Sequence, residues 1–170
     1  MRIIYNDKSI EQDVKAIAKE LNANIEHKKN LSEEIENFKK SYKGPPIGSP
    51  VPSDFIDLGR YLVTFFLGNI AYDVIKVVVL KWVYVLKNKV KNKYDSFIIS
   101  DGENPEDYKN NTYFFIPIDI NEDELVRILD KIEKIMNIVN NLKKEAKISG
   151  SLRFSYSSGE FIGDIIRDMF

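Results

Sequence analysis

Apolar and polar positions along the chain divide it into short alternating runs and longer stripes of helical period. Arg2–Tyr5 is β-branched and aromatic, stops at Asn6-Asp7, and predicts a short strand. Ser9-Ile10-Glu11-Gln12 has the form of a capping box, after which Val14, Ile17, Ala18 and Leu21 share one helical face. Asn22-Ala23-Asn24 ends that helix, and Ile25-Glu26-His27 predicts a second short strand. Asn30-Leu31-Ser32-Glu33 predicts a further cap, opening a short polar helix to about Tyr42.

Between 43 and 53 the pattern breaks. Pro45, Pro46, Pro50 and Pro52 fall there with Gly44 and Gly48, and proline excludes helix by removing donors and restricting the preceding residue. An ordered loop laid across one small domain is the reading, with an exposed linker as the alternative. Phe55–Leu86 is then strongly apolar, interrupted at Asp57, Arg60, Asp73, Lys76 and Lys81. Strict alternation is absent, so the run predicts one long apolar helix, kinked near Gly68 and reaching about Lys91. Its polar arc would be Asn69, Asp73, Lys76, Tyr84, Lys87 and Lys91. The alternative is a helix followed by a strand at 75–86, because Val77-Val78-Val79 is β-branched.

Ser96–Ser100 and Thr112–Ile120 read as a hairpin around Asp101-Gly102. Asn121-Glu122-Asp123-Glu124 opens the clearest helix, striped by Leu125, Ile128, Leu129, Ile132, Ile135, Met136, Val139 and Leu142. That stripe is read as packing on the sheet, with a dimer seam as the alternative. Leu152–Tyr156 predicts a strand, and Ser157-Ser158-Gly159-Glu160 a cap for a last helix over Phe161–Met169. The order predicts a single α+β domain over residues 1–170, with a mixed, largely antiparallel sheet covered by helices.

Composition narrows the chemistry. The chain has 170 residues with 25 Lys+Arg against 26 Asp+Glu, so a globally basic nucleic-acid binder is disfavoured. With 0 Cys and 1 His, disulfides, thiolate zinc sites and two-histidine metal motifs are excluded. The first residues carry no apolar leader run, so a cytoplasmic location is expected. Abundant Lys, Ile and Asn with little Arg is the bias of an AT-rich prokaryotic or phage genome. Tyr61–Tyr72 is the longest uncharged stretch and is too short to span a bilayer, so an integral membrane protein is not expected.

No familiar catalytic set is present. Gly44/Gly48 and Gly159/Gly163 match no phosphate loop. Asp101, Glu103, Glu106 and Asp107 crowd one loop, and Asp119, Asn121 and Asp123 have D-x-N-x-D spacing. Glu124 stands where a calcium loop needs glycine, and capping accounts for that second group. No metal and no cofactor is implied. His27 reads as structural or exposed, with Glu26 on the opposite face of its strand. Lys87, Lys89, Lys91 and Lys93 read as the solvated end of a helix rather than a phosphate track.

One layout resembles a known group. A short strand and helix precede Gly44-Pro45-Pro46-Ile47-Gly48. An apolar helix then ends near Trp82 with basic residues after it, a hairpin contains Asp101-Gly102, and a helix opens after Asp119. Over residues 1–142 this order resembles the small effector-associated α+β adaptor components of bacterial conflict systems. The resemblance implies a recruiting or holding role, carries no catalytic residue, and does not extend to the strand and helix after Gly150. The expectation is a non-enzymatic interaction module of a prokaryote or phage, in a defence or counter-defence system. A protein partner or a homo-oligomer is expected, with Trp82, Tyr84, Lys87, Lys91, Gly44, Pro45, Pro46 and Gly48 as contact residues. The alternatives are a small-ligand or nucleotide-binding protein, or an enzyme, using the carboxylate-rich loop, and a peripheral membrane protein.

Overall fold

Among the described residues, each α-helix connects two neighbouring parallel strands. The computed structural model describes residues 1–27, 61–68, 72–90, 94–102, 111–148 and 151–166. The polar helix expected after Asn30 and the Gly/Pro stretch at 43–53 lie outside them.

Strand β1 (Arg2–Tyr5), helix α1 (Glu11–Leu21) and strand β2 (Asn24–His27) form the first unit. The second is β3 (Tyr61–Phe66), α2 (Tyr72–Lys89) and β4 (Ser96–Ser100). The third is β5 (Thr112–Pro117), α3 (Glu122–Lys144) and β6 (Ser151–Ser157), followed by β7 (Glu160–Ile166). The fold is α+β, with one mixed seven-stranded sheet in the order β2-β1-β3-β4-β5-β6-β7. Pairing is parallel inside each unit and antiparallel at β1/β3, β4/β5 and β6/β7. The expected predominance of antiparallel pairs is therefore corrected to an even alternation.

The three helices share one face. Ile3 and Tyr5, Val63 and Phe65, Phe97 and Ile99, and Phe114 and Ile116 project into a single core. Val14, Ile17, Ile75, Val79, Leu86, Ile128, Leu129 and Ile132 meet them from the helices. Strands β1 and β5 point the same way, yet β1 crosses to β2 in the opposite direction from β5 to β6. With the helices on one face, one of those two crossovers has the rare left hand.

The single long apolar helix is not found. Tyr61–Phe66 is a strand with a neighbour on each side, and consecutive Leu62, Val63, Thr64 and Phe65 are all buried. A strand buried on both faces loses its alternation and reads as a plain apolar run. The segment at 75–86 is helical despite its three valines, because every turn of α2 sends a side chain into the core, from Ile75 through Val78, Val79 and Val83 to Leu86. Helix α2 spans 18 residues and carries charges throughout. Among the described residues no helix is long and apolar enough to cross a membrane.

The expected C-terminal helix is also overturned. Ser158 and Gly159 both have positive φ, 52° and 89°, as the central residues of a type I′ hairpin require. That turn sends Glu160–Ile166 back antiparallel to β6, Ser157 facing Glu160. Caps follow the chemistry more closely. Asn121 accepts from the Glu124 amide at 2.9 Å, and Asn22 ends α1 at φ 48°. At the first helix Asp7, not Ser9, is the cap: it accepts from the Ser9 amide at 2.8 Å and opens a 3-10 turn ahead of α1.

Two predictions follow from this packing. Gly163 lies beneath the Phe154 ring, where an added Cβ would come within 2.6 Å of Cε1. That ring is held by stacking on Phe114 at 5.3 Å, so it cannot easily yield. Gly163→Val should cost about 1–3 kcal/mol in a urea melt, whereas a helical 161–169 would be strengthened by it. The second concerns high pH. Burial, then the Asp7 carboxylate that accepts its hydroxyl at 3.1 Å, push Tyr94 up to about 12. Burial raises Tyr72 as well. Folded pKa values above the unfolded value of about 10 give stability that is complete below pH 10 and lost as pH rises through the folded value. Stability should fall between about pH 10 and 12, and Tyr94→Phe should flatten that fall.

Candidate interaction surface

Helix α2 is the middle helix of the layer, flanked by α1 and α3 and antiparallel to both. Its core face is Ile75, Val78, Val79, Val83 and Leu86. Polar ties hold its two sides. Toward α1, Lys81 pairs with Glu20 at 2.6 Å, the Trp82 indole donates to the same carboxylate at 3.3 Å, and Lys89 pairs with Asp13 at 2.7 Å. The lysine ammonium and the indole N–H together hold Glu20 below the usual carboxylate range. Toward α3, Lys76 pairs with Asp130, and the Tyr72 hydroxyl donates to the Leu129 carbonyl. The hydrogen bond to Asp130 raises the Lys76 ammonium. Lys87 donates to the carbonyls of Asp119 and Ile120 at 2.9 and 3.3 Å, bracing the start of α3.

What remains of α2 faces outward: Asp73, Val74, Val77, Lys81, Tyr84 and Asn88, all exposed, with Leu80 half-buried at the margin. Val74, Val77 and Tyr84 are 48%, 67% and 70% exposed. At 100° per residue these positions share one arc centred on Val77. Such a stripe on a helix fixed along both sides is an unusual use of three large apolar groups.

Of the expected contact residues, Trp82, Tyr84 and Lys87 are described, and Trp82 does not share a face with the other two. Tyr84 is on the outer arc, but Trp82, two positions earlier, points to the other side of the helix and is half-buried against α1. Lys87 is occupied with the α3 entrance. Lys91, Gly44, Pro45, Pro46 and Gly48 lie outside the described residues. Val74 and Val77 were missed because a helix drawn from Phe55 assigns them to an apolar core face. The ties of Lys81, Trp82 and Lys89 to α1 and of Lys76 to α3 fix which way they point.

Several polar groups elsewhere are engaged with one another, whereas His27 Nε2 and Ser151 Oγ are buried without a hydrogen-bond partner among the described residues. Asp101 accepts from the Thr112 amide at 2.5 Å and pairs with Lys143 at 3.3 Å, while Lys143 also donates to Thr112 Oγ1 at 3.0 Å. Thus Asp101 of the carboxylate-rich loop ties the β4–β5 connection to the end of α3; Glu103, Glu106 and Asp107 lie outside the described residues. Tyr156 donates to Glu124 at 3.0 Å, beside a cleft of about 430 Å³ also lined by Arg127 and Lys131. Lys131 donates to the Gly159 carbonyl at 2.7 Å. Among the described residues no three His, Asp or Glu side chains are grouped to hold a metal. His27 lies against Tyr5, ring centres 5.1 Å apart, while Glu26 pairs with Arg2 on the opposite face.

No family model matches the chain, and neither a curated protein nor a solved structure does.

The two aromatic residues of α2 should separate cleanly. Tyr84→Ala removes an outward ring and should change stability by less than about 0.5 kcal/mol, while Trp82→Ala should cost about 1–2 kcal/mol. Chemical denaturation of both variants checks this.

Proposed function

We propose that this chain is a non-enzymatic protein-interaction module that docks through the outer face of α2. The observation carrying this reading is the exposed Val74–Val77–Tyr84 stripe on a helix already immobilised on its other sides. A fixed helix loses little conformational entropy when a partner covers it, so its apolar surface converts into affinity efficiently. Tyrosine at the end of such a stripe is typical of an interface anchor.

The engagement of Asp101, Glu124 and Asp7 in internal hydrogen bonds supports a structural rather than a catalytic use of these carboxylates. The resemblance in element order to effector-associated adaptors supports a holding role beside an effector in a prokaryotic or phage defence setting. In this reading Trp82 orients α2 through Glu20 and is not itself the contact.

Native mass spectrometry of the protein gently purified from its host tests the reading. The wild type should travel in an assembly heavier than the 19.7 kDa chain, and Val77→Glu should return it to 19.7 kDa. A wild type found only at 19.7 kDa, or an assembly indifferent to Val77→Glu, would overturn it.

A further inference from the structure

We infer that the surface covering α2 is a second copy of this chain, in a two-fold pair centred on Val77. This rests on the reading of α2 as the docking face and names its partner. The outer stripe is self-complementary about its midpoint. Asp73, Val77 and Lys81 lie on one ridge at four-residue spacing, an acid four positions before the valine and a base four positions after it. A two-fold axis through Val77 and perpendicular to the helix sets position 77−n against position 77+n of the other copy. Asp73 then faces Lys81 of the second copy, and the same pair recurs on the far side of the axis. Val74 meets Leu80 of the second copy, and Val77 meets its own counterpart. A parallel arrangement would oppose Asp73 to Asp73 and Lys81 to Lys81, so charge selects the antiparallel one.

The ridge geometry agrees. Two helices that interdigitate their four-residue ridges cross at about −50° and separate beyond the centre. Contact therefore concentrates on the middle turns of α2, where the exposed valines lie. Lys81 keeps Glu20 beside it, so its ammonium would stand between Glu20 and Asp73 of the second copy. Exposed ion pairs contribute little by themselves. Burial of Val74, Val77 and Leu80 drives association, and the charges set its direction. One helix crossing buries less than a standard interface of about 1,600 Å². Dissociation on the order of 10 µM is therefore expected.

Sedimentation of the purified full chain, alone, from about 1 to 200 µM is the test, a range bracketing the expected dissociation constant. The wild type should pass from one to two copies across it. Val77→Glu should weaken pairing at least about tenfold. Asp73→Lys and Lys81→Glu, each alone, oppose like charges twice and should also run as single chains. Mixed in equal amounts they restore opposite charges at both ends and should pair again. A wild type that stays single throughout overturns the inference. So does a Val77→Glu chain that pairs as the wild type does, or a mixture that pairs no better than its components. If the lone chain stays single while the assembly from the host still dissolves on Val77→Glu, the docking face stands and the second copy is the wrong occupant. If neither responds to Val77, both readings fall.

Discussion

Burial of strand β3 from both faces is the constraint on which the rest of the molecule depends. Among the described residues it is the strand by which the first βαβ unit joins the other two across the sheet, through antiparallel pairing to β1 and parallel pairing to β4. Leu62, Val63 and Phe65 are essentially inaccessible, and Phe65 meets Phe97 edge-on with ring centres 6.5 Å apart. Its inward side chains, Val63 and Phe65, stay out of water only if helices close the face above them. That requirement puts α1 and α2 side by side, and it leaves the outer face of α2 with nothing to cover.

Such a strand is also the hardest element to recognise in advance. Strand β5 is legible as a short aromatic and β-branched run after a turn signal, although its alternation of buried Phe114 and Ile116 with half-buried Tyr113 and Phe115 is a fact of burial and not of sequence. Strand β3 has no polar face and merges with the apolar turns of α2 into one run. The error had a second effect, since without β3 beside it nothing in the sequence told which face of α2 meets the sheet and which meets α1 and α3. The two aromatics of α2 were therefore legible as a type of residue and not as a place. Trp82 and Tyr84 drew attention as large aromatics near lysines, yet two positions on a helix lie about 200° apart. One serves the α1 contact and the other faces away.

Local signals transferred well where side-chain chemistry decides geometry. The Asn121 cap, the Asn22 terminus and the α3 stripe are statements about hydrogen bonds and periodicity within a few residues. The Ser158-Gly159 pair shows the limit. Serine followed by glycine serves a helix cap or a tight hairpin equally, and only the edge of β6 awaiting a partner distinguishes them. The stacking of Phe154 on Phe114 and its fit over Gly163 are tertiary facts that no window of sequence contains.

The alternation of parallel units with antiparallel seams has a geometric corollary. β1 and β3 lie side by side in opposite directions, and each crosses outward to a parallel neighbour through a helix on the same face. The arrangement β2-β1-β3-β4 with α1 and α2 is therefore mapped onto itself by a half-turn about the normal to the sheet between β1 and β3. The third unit, whose crossover has the other hand, breaks that internal pseudosymmetry and gives the sheet two unlike ends: a four-residue strand at β2 and a seven-residue hairpin arm at β7. Among the described residues the two end strands are therefore unequal in length, so pairing β2 of one copy with β7 of the next would match four residues against seven.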